Sequence, residues 1–148
     1  MRKAFWCWTP FGLLLSVAVA FGQGKPIGLV KTVTGDAAVI RGGGRVVATP
    51  GLSLLEGDTL ETGSPGTLGA ILRDDTTLSL GSNSEVRLSE FVFEPADGKL
   101  GFLLRLSRGV LDFVSGKITK LAPDAARIET PVATLGIRGT HLAARIVP

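Results

Sequence analysis

Short runs of apolar and β-branched residues recur along the chain, and clusters of Gly, Asp, Asn, Ser and Pro separate them. The clearest alternation covers residues 85–93. There Val86 and Leu88 are predicted to face a core, and the polar residues between them to face water. Phe91 or Val92 continues the inward-facing set. This pattern predicts a strand with one buried face.

Further strands are predicted at residues 29–33, 37–40, 45–48, 67–73, 76–80 and 110–114. The glycines at 42–44 predict a hairpin tip, and the polar clusters at 74–75 and 82–84 predict ordinary turns. The best helix candidate is one or two turns near residues 123–127. Frequent turns between short strands predict an all-β domain. A sandwich, a barrel and a solenoid all remain open, although the lack of a strict repeat weakens a regular solenoid.

The beginning of the chain has the pattern of a secretory signal peptide. Arg2 and Lys3 form a short basic region, and an apolar run follows at residues 11–21. The alternative is an uncleaved membrane anchor, but the run is much shorter than the roughly 20 residues that a spanning helix needs. We therefore expect cleavage, with membrane contact only through this segment if it is retained.

Small residues place the predicted cleavage near Ala20 or near Gly22. The predicted organisation is a signal peptide over residues 1–22 and one domain over residues 23–148. The location implied is the bacterial periplasm or the cell exterior.

Cleavage would change the composition of the protein. It would remove the only cysteine, the only methionine and both tryptophans, namely Cys7, Met1, Trp6 and Trp8. Loss of Arg2 and Lys3 would lower the 16 basic residues to 14 against 13 acidic ones, so the net charge would fall from +3 to +1. A nearly neutral domain gives no electrostatic reason to expect nucleic-acid binding.

The residues needed for catalysis or metal binding are scarce. His141 is the only histidine, it lies in a predicted terminal strand, and no nucleophile-elbow motif is present. Asp74, Asp75 and Asp97 lack calcium-loop spacing, so turn formation explains them better. We expect no enzyme activity, no cofactor and no metal.

The segment near the end of the chain combines Thr130-Pro131 with Arg138-Gly139-Thr140. Gly136 and Gly139 are expected to let the backbone turn or approach another strand closely. An arginine in this apolar segment must reach solvent or find a partner. One hypothesis is that Arg138 ties a terminal hairpin to an earlier loop through Asp58 or Asp112. The other is that Arg138 faces a binding partner.

Four blocks together resemble the FecR domain family, across roughly residues 28–146. They are Val33-Thr34-Gly35-Asp36-Ala37, Leu55-Glu56-Gly57-Asp58-Thr59-Leu60-Glu61-Thr62-Gly63, Leu78-Ser79-Leu80-Gly81-Ser82-Asn83-Ser84 and Ile128-Glu129-Thr130-Pro131-Val132-Ala133-Thr134-Leu135-Gly136-Ile137-Arg138-Gly139-Thr140. The motif residues singled out are Gly57, Asp58, Thr62, Thr130, Pro131, Gly136, Arg138, Gly139 and Thr140. The order and spacing of the four blocks make the resemblance more specific than any single block would.

The resemblance implies a periplasmic all-β domain, arranged as a twisted β-solenoid-like stack or alternatively as a sandwich. Full-length members of the family use a cytoplasmic segment to control a sigma factor, and a periplasmic part to receive a signal from an outer-membrane transporter. Here no such segment precedes the apolar run, and the chain stops at Pro148. We therefore expect no direct contact with a sigma factor. The turn at Asp74-Asp75 also departs from the Asp-Gly that family members often carry.

Two functions follow as expectations. The first is a protein-interaction or signal-sensing module, which contacts another envelope protein through an exposed strand edge. The alternative is a module that binds a cell-envelope polymer or carbohydrate. Such sites commonly use a flat aromatic platform, and the chain after residue 22 contains neither Trp nor Tyr. The composition therefore favours the first function.

Overall fold

The computed structural model describes residues 24–147, and the predicted signal peptide lies outside this range. Strands make up 62% of the structure and helices 9%, which confirms the all-β prediction. The strands are β1 Gly28–Arg41, β2 Gly44–Val47, β3 Ser53–Leu54, β4 Thr59–Leu72, β5 Thr77–Leu80, β6 Glu85–Glu94, β7 Lys99–Val114, β8 Ala126–Glu129, β9 Thr134–Gly136 and β10 His141–Ile146. One short helix, α1 Lys117–Leu121, and 3₁₀ turns at Pro95–Asp97 and Pro123–Ala125 complete the described elements.

Three long strands, β1, β4 and β7, run through two layers. The first half of β4 pairs with β6, and its second half pairs with β5. The first half of β7 pairs with β6 and β8, whereas its second half pairs with β5 and β10. Strands that bend in this way form the corners between packed sheets. Gly35 lies at the bend of β1 with a φ of 67°, beside a register shift in its pairing with β4.

The pairings define the order of strands in each layer. One layer runs β2–β1–β4–β6–β7–β8–β9, and the other runs β3–β1–β4–β5–β7–β10. Within residues 24–147, only the pairing of β7 with β8 is parallel. The two layers enclose a common core, as in a sandwich.

The core between the layers is mainly aliphatic and contains three packed phenylalanines. Phe102 lies between Phe91 and Phe113, with ring centroids 6.1 Å and 5.6 Å away. Val86 and Leu88 are buried in β6 as predicted, and Phe91, with 5% of its surface exposed, is the residue that continues their set. The alternation in this strand therefore reports correctly which face is buried.

Most of the predicted turns are confirmed. Residues 42–43 connect β1 to β2, and the turn at 74–75 connects β4 to β5. The helix prediction near 123–127 was only partly right, because this region holds a 3₁₀ turn and the start of β8, while α1 lies earlier. The first half of β7 was not predicted at all, although it forms the centre of one layer.

The predicted terminal hairpin was wrong. Strands β9 and β10 are consecutive in the chain but do not pair with each other. Instead β9 pairs with β8 in one layer, and β10 pairs with β7 in the other. The segment that contains Arg138 is therefore a crossover between layers.

Candidate functional site

The motif residues near the start of β4 form a turn around a buried carboxylate. Asp58 is 1% exposed. Its carboxylate accepts hydrogen bonds from Arg41 Nε at 2.9 Å, Arg41 Nη2 at 2.6 Å and the Leu55 backbone N–H at 2.8 Å. The hydrogen bond to Asp58 is the main reason why the pKa of Arg41 lies above its ordinary value. Gly57 occupies the turn with a φ of 88°. Asp58 and Gly57 thus fix the entry into β4.

Thr62 belongs to a second buried polar cluster, at the bend of β4. Its hydroxyl donates to Gly81 O at 2.6 Å and accepts from the Ser84 backbone N–H at 3.0 Å. The Ser84 hydroxyl in turn accepts from the Val110 N–H at 2.8 Å. This cluster joins β4, the turn before β6, and the bend of β7.

Gly109 is required at this cluster for two reasons. Its φ is 88°, and a Cβ atom there would lie 2.2 Å from Ser84 Oγ and 2.4 Å from Ser84 Cα. Only glycine allows β7 to pass so close to Ser84. The turn pattern at residues 82–84 gives no sign that Ser84 is fully buried.

Thr130 and Pro131 form the turn between β8 and β9. The Thr130 hydroxyl donates to Ala133 O and accepts from the Ala133 N–H, both at 3.0 Å. Pro131 is exposed in this turn. Gly139 has a φ of 124°, whereas the φ of Gly136 is not in the left-handed region. Nothing lies within 4 Å of a Cβ built on either glycine. Of the two glycines expected to shape the backbone, only Gly139 adopts a conformation that favours glycine.

The predicted lock between Arg138 and an earlier loop is wrong. Asp58 is bound by Arg41, and Asp112 contacts His141. The nearest carboxylate to Arg138 is that of Asp124, at 3.8 Å, and the two side chains are 86% and 94% exposed. Such an exposed and loose pair adds little stability. Arg138 therefore points its donors largely into solvent.

The motif residues do not converge on one site. Gly57 and Asp58 form the turn before β4, and Thr62 lies at its bend. Thr130 and Pro131 line a shallow depression beside Arg105, whereas Arg138, Gly139 and Thr140 line a cleft next to α1. The motif residues are thus distributed over several structural positions.

The strand that follows the terminal motif, β10, is an edge strand. This strand pairs with β7 from His141 to Ile146. Leu142, Ala144 and Ile146 are half-buried and pack against the core, whereas the residues between them are exposed. The opposite edge of β10 has no paired strand among residues 24–147.

Within residues 24–147, no group of three or more His, Cys, Asp and Glu side chains is placed to hold a metal ion. Over the same range, no helix has the length and apolar character needed to cross a membrane.

A family model described as FecR protein matches residues 58–147, which is more than half of the chain. The chain belongs to the FecR protein family. The match begins at Asp58 and includes Thr62 and the whole terminal motif, whereas the block at residues 33–37 lies before it.

The FecR family is a regulatory and signalling family associated with periplasmic signal transduction and the cell envelope, and it is not known for enzymatic activity. Searches of curated proteins and of solved structures found no match to the chain.

Proposed function

We propose that this FecR-family chain is an exported protein-interaction or signal-sensing module, and that it receives a strand of another envelope protein along the free edge of β10. Membership of a signalling family supports the general role. The single observation that carries the specific proposal is the unpaired edge of β10, whose outward backbone groups can be identified from the hydrogen bonds of its neighbours.

The register shows which groups of β10 face outward. The Ser115 N–H donates to Thr140 O at 2.9 Å, so these residues form a hydrogen-bonded pair next to the strand. Hydrogen-bonded and non-hydrogen-bonded pairs alternate in an antiparallel ladder. The N–H and C=O groups of His141, Ala143 and Arg145 therefore point away from β7 and remain available to a partner strand.

A second hydrogen bond supports the same register. On the other side of β7, the Gly81 N–H donates to Val110 O at 3.0 Å. Val110 is the partner of Arg145 in the β7–β10 ladder. Since the backbone of Val110 is directed towards β5, Arg145 is left with its backbone groups facing the free edge.

The other edges are less suitable for strand addition. β3 and β9 have two and three residues, and β2 has four, whereas β10 has six. On β2, Arg45 also forms ion pairs with Asp36 and Glu61, at 3.1 Å and 3.3 Å. Charged side chains and short length are common means of protecting an edge. β10 therefore offers a longer ladder than β2, β3 or β9.

The polymer-binding alternative draws less support from the structure. The aromatic rings of Phe91, Phe102 and Phe113 are buried in the core, and the half-buried Phe93 packs against it. They do not provide the flat exposed platform that often binds sugars.

Substituting Ala143 with proline tests the proposal. Proline removes the outward N–H, and an edge strand tolerates it where the N–H faces solvent. Val47→Pro is the matched control, because the Ala48 N–H bonds to Ala37 O and the N–H of Val47 therefore faces the free edge of β2.

The purified wild-type protein and both variants would be used to capture proteins from envelope extracts. We expect one defined protein to bind the wild type and Val47→Pro, and to be lost with Ala143→Pro, while circular dichroism shows all three folded. Equal capture by Ala143→Pro, or retention only on cell-wall polymer, would overturn the proposal. If Ala143→Pro does not fold, Arg145→Pro removes the next outward N–H and serves the same purpose.

A further inference from the structure

A cleft of about 540 Å³ lies between α1 with its following 3₁₀ turn and the crossover segment that leads into β10. Its lining includes Thr119, Lys120, Ile137, Arg138 and Thr140. This volume is within the range of roughly 300–1,000 Å³ that small-molecule sites occupy. The cleft lies next to the β10 edge but uses side chains that strand addition does not require.

The crossover wall of the cleft is held in place by backbone contacts. The Ser115 hydroxyl donates to Gly139 O at 2.9 Å, and the Ser115 N–H donates to Thr140 O at the same distance. Ile137 is 4% exposed and anchors this wall in the core. The wall is therefore formed before any ligand binds.

The helical wall is fixed by the buried turn between β4 and β5. Asp74 is fully buried, and its side chain accepts a hydrogen bond from the Ile118 N–H at 3.2 Å. Its backbone carbonyl accepts a second bond from the Lys117 N–H at 2.7 Å. Two preformed walls reduce the ordering cost of binding.

The charges of the cleft favour an anion. Arg138 and Lys120 bring two positive charges to the lining, and Asp124 brings one negative charge. The contact of Arg138 with Asp124, at 3.8 Å between exposed groups, is too long to occupy the guanidinium donors. A guanidinium presents parallel donors that match a carboxylate.

The remaining lining residues limit the kind of anion. The exposed ring of Pro123 provides an apolar surface, while Thr140 places a polar side chain along the facing wall. We propose that this cleft binds a carboxylate next to a compact apolar group, with Arg138 and Lys120 contacting the carboxylate. A free small acid and the carboxyl terminus of a peptide share this chemistry.

Nuclear magnetic resonance titration of the purified protein tests the site with N-acetyl-leucine and N-acetyl-leucinamide as probes. We expect N-acetyl-leucine to shift the backbone amides of Thr119 and residues 137–140 in a saturable manner. The amide probe should bind at least about tenfold more weakly, since it lacks the charge that the guanidinium recognises. Equal affinity for the two probes, or shifts confined to other regions, would overturn the proposal.

Variants assign the contacts. Arg138→Gln and Lys120→Gln should each weaken binding of N-acetyl-leucine by about threefold or more, since each removes one exposed positive charge. Arg127→Gln is the control, because Arg127 is exposed on β8 and does not line the cleft. Unchanged binding by Arg138→Gln would contradict the proposal.

A tripeptide that ends in leucine, compared with its terminal amide, identifies the source of the carboxylate. Tighter binding than N-acetyl-leucine indicates a peptide terminus, and equal binding indicates a free acid; both outcomes support a carboxylate site. Loss of discrimination between the tripeptide and its amide would overturn it. Ala143→Pro should leave all these affinities unchanged, so the site can be tested independently of the β10 edge.

Discussion

Substitution of Asp58 by alanine should destabilise the protein strongly. The change removes three hydrogen bonds, two from Arg41 and one from the Leu55 N–H. A backbone N–H left without its acceptor costs about 1–3 kcal/mol, and breaking a buried ion pair costs about 3–5 kcal/mol. The Arg41 side chain is 34% exposed and can regain hydration, which lowers the total. We expect a loss of about 3 kcal/mol.

Denaturant unfolding monitored by circular dichroism measures this loss directly. For a domain of this size, about 3 kcal/mol corresponds to a decrease in Tm of roughly 10 °C. Asp58→Asn keeps an acceptor for the Leu55 N–H but removes the charge, so its effect should be smaller. A double-mutant cycle with Arg41→Ala isolates the pair itself.

Asp36→Ala provides the matched control. Asp36 also pairs with an arginine, Arg45, but both side chains are largely exposed. This control should change stability by less than about 1 kcal/mol. A loss for Asp58→Ala no larger than that of the control would refute the assignment of Asp58 as the anchor of the turn.

Three further predictions concern the buried cluster and the terminal motif. Thr62→Val should lower the free energy of unfolding, measured with denaturant, by about 2 kcal/mol, because Gly81 O and the Ser84 N–H lose their hydrogen-bond partner. An equal loss for Thr67→Val, at an exposed position, would contradict this. Gly109→Ala should lower the free energy of unfolding several times more than Gly43→Ala, since both residues have a positive φ but only Gly109 lies against Ser84. Equal decreases in Tm for the two variants would show that the contact with Ser84 is unimportant. Arg138→Ala should leave Tm within about 2 °C of the wild type, as for an exposed pair, and a large decrease would restore the lock hypothesis.

The local features of the fold were predictable because they depend on neighbours in sequence. The alternation of apolar and polar residues in β6 predicts which of its side chains face the core. The consecutive glycines predict the hairpin tip at residues 42–43. The first half of β7 was missed because its apolar residues, such as Leu103 and Leu104, are adjacent and hide the alternation of a strand that contacts both β6 and β8.

The partners of charged residues were not predictable in the same way. The motif singles out Asp58 but not its partner, Arg41, which lies 17 residues earlier in the chain. The sequence held only a weak sign of this pairing. Arg41 lies two positions after the buried Val39, so its side chain starts on the inward face of β1. The apolar neighbours of Arg138 favoured a lock to an earlier loop, yet its side chain is 86% exposed. The sequence alone does not show that the segment between β9 and β10 passes from one layer to the other.

Amide hydrogen exchange along β10 shows directly whether its free edge receives a partner strand. In the free protein, the amides of Leu142, Ala144 and Ile146 should exchange slowly, and those of Ala143 and Arg145 rapidly, because only the first set is bonded to β7. When the captured envelope partner is added, we expect the amides of Ala143 and Arg145 to become protected. Protection elsewhere, with these two amides still exchanging rapidly in the complex, would contradict it.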